Sequence, residues 1–537
     1  MVQQSLSPPL FAINSLTSNA GDTVSLPRAA VTAIVGSNNA GKSRLLRDIE
    51  LVLRDSQAQP VTLAQIGATT PVAEPAAELE EWLDANAVRS TGQNGVPQWS
   101  PTTGDSKLTM RDFKVYLDQT PYSYRRFPFL GTASSFFLHL TSAGALATHA
   151  AGSAPVGPTR RGGMNPLGHL YRDGDLEAEL DTLSRSTFGE GLMLDRANAE
   201  FRLRVGDVGV PVPLLNHPTR EYADAVLALP TLDEQGDGMR SFVGLALLVM
   251  ARPPGVLLID EPEAFLHPGQ ARALGRWLGG AARGRELQVI IATHDRDFLL
   301  GLLEADAPVN VVRITRHGDK NRLAQLPPEE IQQVWADPVL RYSNVLQGLF
   351  HRQVVVCESD GDCRFFGAAL DEVALASDRR AIADDVLFVP GGGKQRVAAI
   401  ANALGRLRVR SRAIVDFDVF RNRDQLRAIV ESVAGSWSTD MANDYVTMVR
   451  PIQQGSIWER VKNQGLVAVP PGEPNAAAQR LLAALAAVGV YVVPVGEMEG
   501  FDRSQSLHGA AWVSTAIEGG IHKSEHVARF VEPLLES

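Results

Sequence analysis

Two cysteines among 537 residues, Cys357 and Cys363, are too few for a disulfide framework or a zinc knuckle. Their scarcity fits a reducing compartment, and the expected location is the cytoplasm. Long apolar runs are also missing. The longest, Leu481 to Val495, is broken by Gly489 and Pro494 and is shorter than the ~20 residues a membrane helix needs. It reads as a buried helix running into a buried strand, and no membrane partner is expected. The opening Met1-Val2-Gln3-Gln4 lacks a basic segment followed by an apolar core, so no signal peptide is expected. A basic surplus is absent too: the net charge is −10. That does not advertise nucleic-acid binding, although acidic metal sites add negative charge and basic patches can be local.

What is present is ordinary for a soluble globular protein, with 45% hydrophobic and 21% charged residues. Domains of ~100–200 residues imply two to four folding units. Short strands are expected at Phe11–Leu16, Thr23–Leu26 and Val31–Val35, followed by a helix from Lys42 to about Leu53. Residues 55–110 are rich in Ala, Pro, Gly, Gln, Ser and Thr. They read as an irregular insertion around one helix near Ala76–Ala87, and residues 150–168 read as a loop. Phe242–Met250, Val256–Ile259 and Val289–Ala292 give helix, strand and strand, with the fully apolar strands of a parallel sheet covered on both faces. After about residue 350, β and α alternate: Gln353–Cys357, Val386–Val389, Ala413–Val415 and Tyr491–Val495 are strands separated by helices, the pattern of a parallel α/β domain.

Gly36-Ser37-Asn38-Asn39-Ala40-Gly41-Lys42-Ser43 fits G-x-x-x-x-G-K-[ST] between an apolar strand and a helix, the context that gives this motif meaning. Glycines let the loop wrap phosphates with inward backbone N–H groups, and the helix N-terminus adds favourable partial charge. Lys42 would contact the β- and γ-phosphates of ATP, and Ser43 would ligate Mg²⁺. Val256–Ile259 leads into Asp260 and Glu261. Asp260 would hold Mg²⁺ through water, while Glu261 would position and deprotonate the attacking water. Val289–Ala292 leads to Thr293-His294, where a His can sense the γ-phosphate.

These motifs, with Gly236-Asp237-Gly238-Met239-Arg240-Ser241 and Asp260-Glu261-Pro262-Glu263-Ala264-Phe265-Leu266-His267-Pro268, resemble the ABC/SMC-like ATPases of the OLD (overcoming lysogenisation defect) family. The Gly236–Ser241 segment stands where the ABC signature loop belongs. The usual Ser-Gly-Gly-Gln is replaced: Gly236 takes the Ser place, Met239 the Gln place, and Gly238 fits. No Q-loop glutamine is assigned.

The second half carries Glu358-Ser359-Asp360-Gly361-Asp362 after one strand and Asp416-Phe417-Asp418 after another. On an extended strand Asp416 and Asp418 would project to one side. Neighbouring parallel strands end at one edge, so Glu358, Asp416 and Asp418 are expected to cluster. Carboxylates that close repel, and a hard cation such as Mg²⁺ or Mn²⁺ resolves the conflict. A Glu on one strand and Asp-x-Asp on a later one resembles the Toprim domain, and Glu358-x-x-x-Asp362 with the preceding Leu349-Phe350 resembles OLD nucleases in particular. The resemblance adds Glu497 as a further metal carboxylate and Lys523 as a catalytic lysine; an exposed helix-cap lysine is the other reading of Lys523. Pro390-Gly391-Gly392-Gly393-Lys394 is either a phosphate- or DNA-contacting turn or a plain β–α turn. Arg406, Arg408, Arg410 and Arg412 would share one face of an extended segment, tracking a phosphate backbone or simply facing solvent.

The expected fold class is α/β, an ABC-type P-loop ATPase domain over 1–330 with the insertion at about 55–170, a helical connector over 331–350, and a Toprim domain over 351–537. The resemblance implies an ATP-hydrolysing, metal-dependent endonuclease with Glu358, Asp362, Asp416, Asp418 and Glu497 as ligands. DNA is the expected substrate, with RNA left open; a homodimer or larger even oligomer and a part in anti-phage or anti-plasmid defence, with an accessory protein or RNA, are implied as well. The alternatives are an ATP-gated sensor or scaffold with a non-cleaving Toprim domain, and a Toprim nuclease acting on RNA such as tRNA.

Overall fold

The computed structural model describes residues 11–71, 76–92, 94–102, 106–119, 126–153, 165–196, 198, 200–211, 219–251, 255–337, 344–504 and 507–536. Its elements divide into two compact units, the first running to Pro328 and the second beginning at Glu329.

In the first unit, β1 (Ala12–Ser18) and β2 (Thr23–Ser25) are partly covered, whereas every residue of β3 (Ala30–Val35) is buried. The helix Lys42–Arg54 buries Leu45, Leu46, Ile49, Val52 and Leu53, an apolar stripe at helical spacing. β4 (Leu63–Thr69) follows, then the helix Ala76–Asn86, the hairpin of β5 (Val88–Thr91) and β6 (Pro97–Ser100), the helix Met110–Gln119, and β7 (Leu138–Ser142). β8 (Leu192–Asp195) and β9 (Arg202–Val205) form a second hairpin. The buried helix Asp237–Met250 leads to β10 (Val256–Asp260), β11 (Gln288–Ala292), β12 (Val309–His317) and β13 (Lys320–Leu326).

The principal sheet has the order β13-β12-β3-β11-β10-β7, parallel except for β13. Its register places Ile34, Ala292, Asp260 and Ser142 in one row, so several strand ends meet at one edge. A smaller antiparallel sheet has the order β2-β1-β4. The expected irregular insertion over about 55–170 is therefore corrected: β4 pairs with β1, and β7 is the edge strand of the principal sheet beside β10. Neither strand carries a run of large apolar residues, and cross-strand pairing decides their state. Of the expected loop at 150–168, residues 154–164 lie outside the described residues. Pro166–Arg172 is helical, with the Asn165 side chain accepting from Gly168 N.

The second unit begins with the helix starting at Glu329 within Pro328–Ala336 and a 3₁₀ segment Asn344–Phe350; residues 338–343 of the expected connector lie outside the described residues. β14 (Gln353–Cys357), β15 (Val386–Pro390), β16 (Arg410–Val415) and β17 (Val490–Val492) form an all-parallel sheet in the order β15-β14-β16-β17. β14 is buried throughout. Its core includes Phe365, Phe366, Tyr491 and Trp512. The expected basic face is corrected too. Arg406 ends a helix and faces Glu330, Arg408 sits in a turn with φ 55°, and Arg412 is buried, donating to Tyr491 Oη at 2.9 Å and to the backbone carbonyls of Pro533 and Glu536. A helix end and a turn interrupt the extended geometry that a shared face requires. Among the described residues no helix is long and apolar enough to cross a membrane.

Candidate functional sites

The loop between β3 and the helix at Lys42 takes backbone conformations its sequence allows. Gly36, Asn39 and Gly41 have φ of 156°, 62° and 103°, a region favouring Gly and tolerated by Asn. At Gly41 the requirement is double, because a Cβ there would lie 2.9 Å from Asn321 Nδ2. That amide, buried on β13, donates to Ala40 O at 2.7 Å and pins the loop. Asp48 secures the helix from below: buried, it accepts from Arg44 Nε, Val61 N, Thr62 N and Thr62 Oγ1. Lys42, next to Ser43 in the first turn, is 8% exposed.

Asp260 ends β10. Burial pushes its carboxyl above the usual range, and the Ser43 hydroxyl bonding to it opposes that rise. Asp260 Oδ1 is buried without a hydrogen-bond partner, and Arg47 lies 3.9 Å away. A hydroxyl and a carboxylate with a spare oxygen fit a small hard cation such as Mg²⁺. Glu261 adopts φ 54° and donates its N–H to Ala292 O at 2.9 Å, turning the chain across the end of β11. Its Oε1 lies 3.1 Å from His294 Nδ1, so these two expected residues stand together. Behind them is Glu263, whose Oε1 accepts from Thr293 Oγ1 at 2.7 Å and His294 N at 3.2 Å. Burial pushes its carboxyl up to about 7 against those bonds. Gly238 lies in the first turn of Asp237–Met250, where a Cβ would come within 2.6 Å of Phe265 O. It is packed against the loop that follows Glu261.

In the second unit, all four strand ends feed one cavity of about 780 Å³ lined by Glu358, Asp362, Asp416, Glu497, Glu499 and the Gly391–Gly393 turn, among others. One carboxylate oxygen from each of Glu358, Asp416 and Asp418 lies within 4.8 Å of the others. The route to that convergence differs from the expected strand alternation. β16 stops at Val415, and Asp416 caps the 3₁₀ turn Phe417–Arg421 that carries Asp418. Asp416 N donates to Glu358 Oε1 at 3.0 Å. Burial, followed by repulsion from Glu358, Asp362, Glu497 and Asp418, pushes the Asp416 carboxyl up to about 9. Burial also raises Glu358 and Asp362. Oxygen-only donors at this spacing fit Mg²⁺ or Mn²⁺.

The other expected residues are less simply placed. Asp362 lines the cavity, but its Oδ2 accepts from Ser359 N and Oγ in a capping box. Glu497 pairs with Lys462 at 2.9 Å. Lys523 is absent from the cavity lining; its ammonium lies 2.7 Å from Glu372 and is 55% exposed. The residue closes the 3₁₀ turn Ile521–Lys523, just before Ser524, the N-cap of the next helix.

Residues 203–301 match the family model described as "AAA domain, putative AbiEii toxin, Type IV TA system". That stretch holds β10, β11, Asp260, Glu261 and His294. That match places an AAA-type ATPase domain in the first unit, beside the phosphate loop. Two curated relatives are similar over short stretches. The uncharacterized protein MJECL11 of Methanocaldococcus jannaschii is 35% identical over 69 residues, 13% of this chain and 60% of its own length. The phosphonates import ATP-binding protein PhnC of Wolinella succinogenes is 31% identical over 99 residues, 18% of this chain and 36% of its own length. The chain thus spans less than two thirds of either relative. Among solved structures, an SMC head bound to the C-winged helix domain of ScpA aligns over 60% of this chain and 99% of its own, with 14% identity and a TM-score of 0.35.

In this ATPase domain, two residues with no role assigned from the sequence shape the site: Glu263, which holds the Thr293–His294 backbone turn, and Asn321, which holds the phosphate loop. Glu263 falls within the Asp260–Pro268 motif, but only its depth of burial marks it out. Asn321 carried no sequence signal, being an isolated amide on a polar hairpin.

Proposed function

We propose that the chain is an OLD-type protein in which the ABC-type ATPase accompanies a Toprim nuclease, with the ATPase over 1–330, a connector over 331–350 and the nuclease over 351–537. The observation that carries this reading is the convergence of Glu358, Asp416 and Asp418 from two adjacent parallel strand ends. Three carboxyl groups held this close must be relieved by a proton, an ammonium or a metal cation, and their oxygen-only donor set suits the last. In the reading, Glu358, Asp416 and Asp418 hold the divalent cation, with Asp362 and Glu497 at its margin. When bound, the cation supplies activation of a water and neutralisation of charge at the leaving oxygen of a phosphodiester. The chain's own part is to bring the carboxylates together and to leave an open cavity for the polymer. DNA is the proposed substrate.

At the nucleotide site, Gly36–Ser43 cradle the phosphates of ATP and Lys42 neutralises them. Ser43 and Asp260 hold Mg²⁺, Glu261 orients water, and His294 reads the γ-phosphate. Gly238 belongs to a signature segment that meets nucleotide in a second copy, so a homodimer or larger even assembly is proposed. A cytoplasmic role in defence against phages or plasmids, with an accessory protein or RNA, rests on resemblance alone.

The test is incubation of purified protein with supercoiled plasmid and with RNA, in Mg²⁺ or Mn²⁺, with and without ATP, beside Asp416→Ala. Metal-dependent nicking lost in Asp416→Ala, with ATP hydrolysis retained, supports the reading. Nicking that survives in Asp416→Ala removes the carboxylate cavity from it. One observation favours the non-cleaving scaffold: Lys523 pairs with Glu372 rather than lining the cavity. Metal binding without cleavage of either polymer would select that alternative.

A further inference from the structure

Lys394 opens the helix Lys394–Arg406 directly after Gly391-Gly392-Gly393. Gly391 N donates to Cys357 O at 2.7 Å, and Gly393 N donates to Glu358 O at 2.8 Å. Gly392 and Gly393 have φ of 68° and 115°, which a side chain would strain. These bonds tie the turn to the end of β14 and deliver the first helical side chain into the carboxylate group. The Lys394 ammonium hydrogen-bonds Asp418 Oδ1 and lies 3.9 Å from Glu358 Oε2. Those are two of the three carboxylates that converge. Lys462 attends Glu497 instead, so Lys394 serves the inner cluster.

An ammonium and a divalent cation require the same oxygens there, and two like charges cannot share them closely. We propose that Lys394 is the resident counter-cation of the cavity, that a divalent cation displaces it, and that the displaced ammonium meets the phosphodiester of the substrate. A lysine suits this exchange: it carries a compact charge with three rotatable donors on a flexible four-carbon stem. Its backbone is fixed by the turn while its head can move. The inference rests on the nuclease reading above and places at Lys394 a lysine role that the resemblance offered at Lys523.

The experiment titrates Mn²⁺ calorimetrically into the full-length parent, Lys394→Met and Lys394→Arg, and measures plasmid nicking by each. Loss of the competing charge should tighten Mn²⁺ binding by Lys394→Met on the order of tenfold. Lys394→Arg should stay near the parent. The KM for plasmid should rise in Lys394→Met and recover in Lys394→Arg. In the parent, acylation of Lys394 by an amine-reactive reagent, read by mass spectrometry, should increase when Mn²⁺ is added. This last measurement decides the matter if Lys394→Met does not fold. Unchanged or weaker Mn²⁺ binding by folded Lys394→Met, or Lys394 shielded by Mn²⁺ in the parent, overturns the inference alone. A parent that binds no Mn²⁺ overturns the nuclease reading together with it.

Discussion

Glu263→Gln should stabilise the ATPase domain in a pH-dependent way. The Glu263 side chain is 4% exposed, its Oε1 accepts from Thr293 and His294, and its Oε2 has no partner. Burial raises the carboxyl from 4.5 to about 7. A raised acid contributes its stability in full below the unfolded value and loses it as pH climbs to the folded one. Between those limits the unfolded chain has released the proton while the native state still holds it, so native stability falls with rising pH. A window of about 2.5 pH units at ~1.4 kcal/mol each gives roughly 3 kcal/mol lost by pH 8. Glutamine keeps the Oε1 acceptor and does not titrate. Its amide would find no acceptor in the Oε2 position, but neither does the neutral acid's hydroxyl, so that cost cancels in the pH dependence. Calorimetric scans of parent and variant from pH 4.5 to 8 should show a stability difference that grows from near zero to a few kcal/mol. The transition to follow is the one ATP raises, since a ligand stabilises the unit that binds it. A difference independent of pH, or one that shrinks as pH rises, refutes the assignment of Glu263 as a buried neutral carboxyl.

Lys42→Ala should abolish ATP hydrolysis, and Glu261→Gln should retain ATP without turnover, measured by phosphate release and by nucleotide co-eluting with protein; parental turnover in Glu261→Gln would remove it as the base. His294→Ala should lower kcat by about a hundredfold while ATP affinity changes little, because a γ-phosphate contact gains strength as charge redistributes; equal weakening of ATP and ADP binding with unchanged turnover counts against it. Gly238→Ala forces a Cβ to within 2.6 Å of Phe265 O, and the backbone shift should cost about 1–3 kcal/mol in thermal or denaturant unfolding; a neutral substitution contradicts that packing. Asp416 keeps its proton up to about pH 9, so Mn²⁺ uptake at pH 7 should release close to one proton per site, read by calorimetry in buffers of different ionisation enthalpy. Affinity should then rise with pH until about 9, and a pH-independent affinity would show that Asp416 is already ionised.

The parts of the fold legible in the sequence are those whose signal is local. β3, β10 and β11 are short apolar runs, and each is buried throughout or to its last residue. The glycines and lysine of the phosphate loop are written next to one another, as are Asp260 and Glu261. β4 and β7 were illegible because Leu63-Ala64-Gln65-Ile66-Gly67 and Leu138-His139-Leu140-Thr141-Ser142 become strands by pairing with β1 and β10. Asp416 and Asp418 meet Glu358, but by a 3₁₀ turn rather than by strand alternation. Spacing along the chain carried the residue pair and misstated the backbone beneath it. The contacts that set the chemistry are less visible still. Lys394 reaches Asp418 across 24 positions, and Glu263 receives Thr293 across 30. In each case the two partners lie in separate segments, and nothing in either segment names the other until the fold closes. A lysine after three glycines carries no mark of the carboxylates it will face, since their positions depend on how β14, β15 and β16 are ordered in the sheet. Strand order brings Lys394 to Asp418 because β14 stands between β15 and β16, and the turn after β15 leans across the end of β14 through its bonds to Cys357 and Glu358. Reading that contact in advance requires the sheet order, which sequence periodicity does not encode.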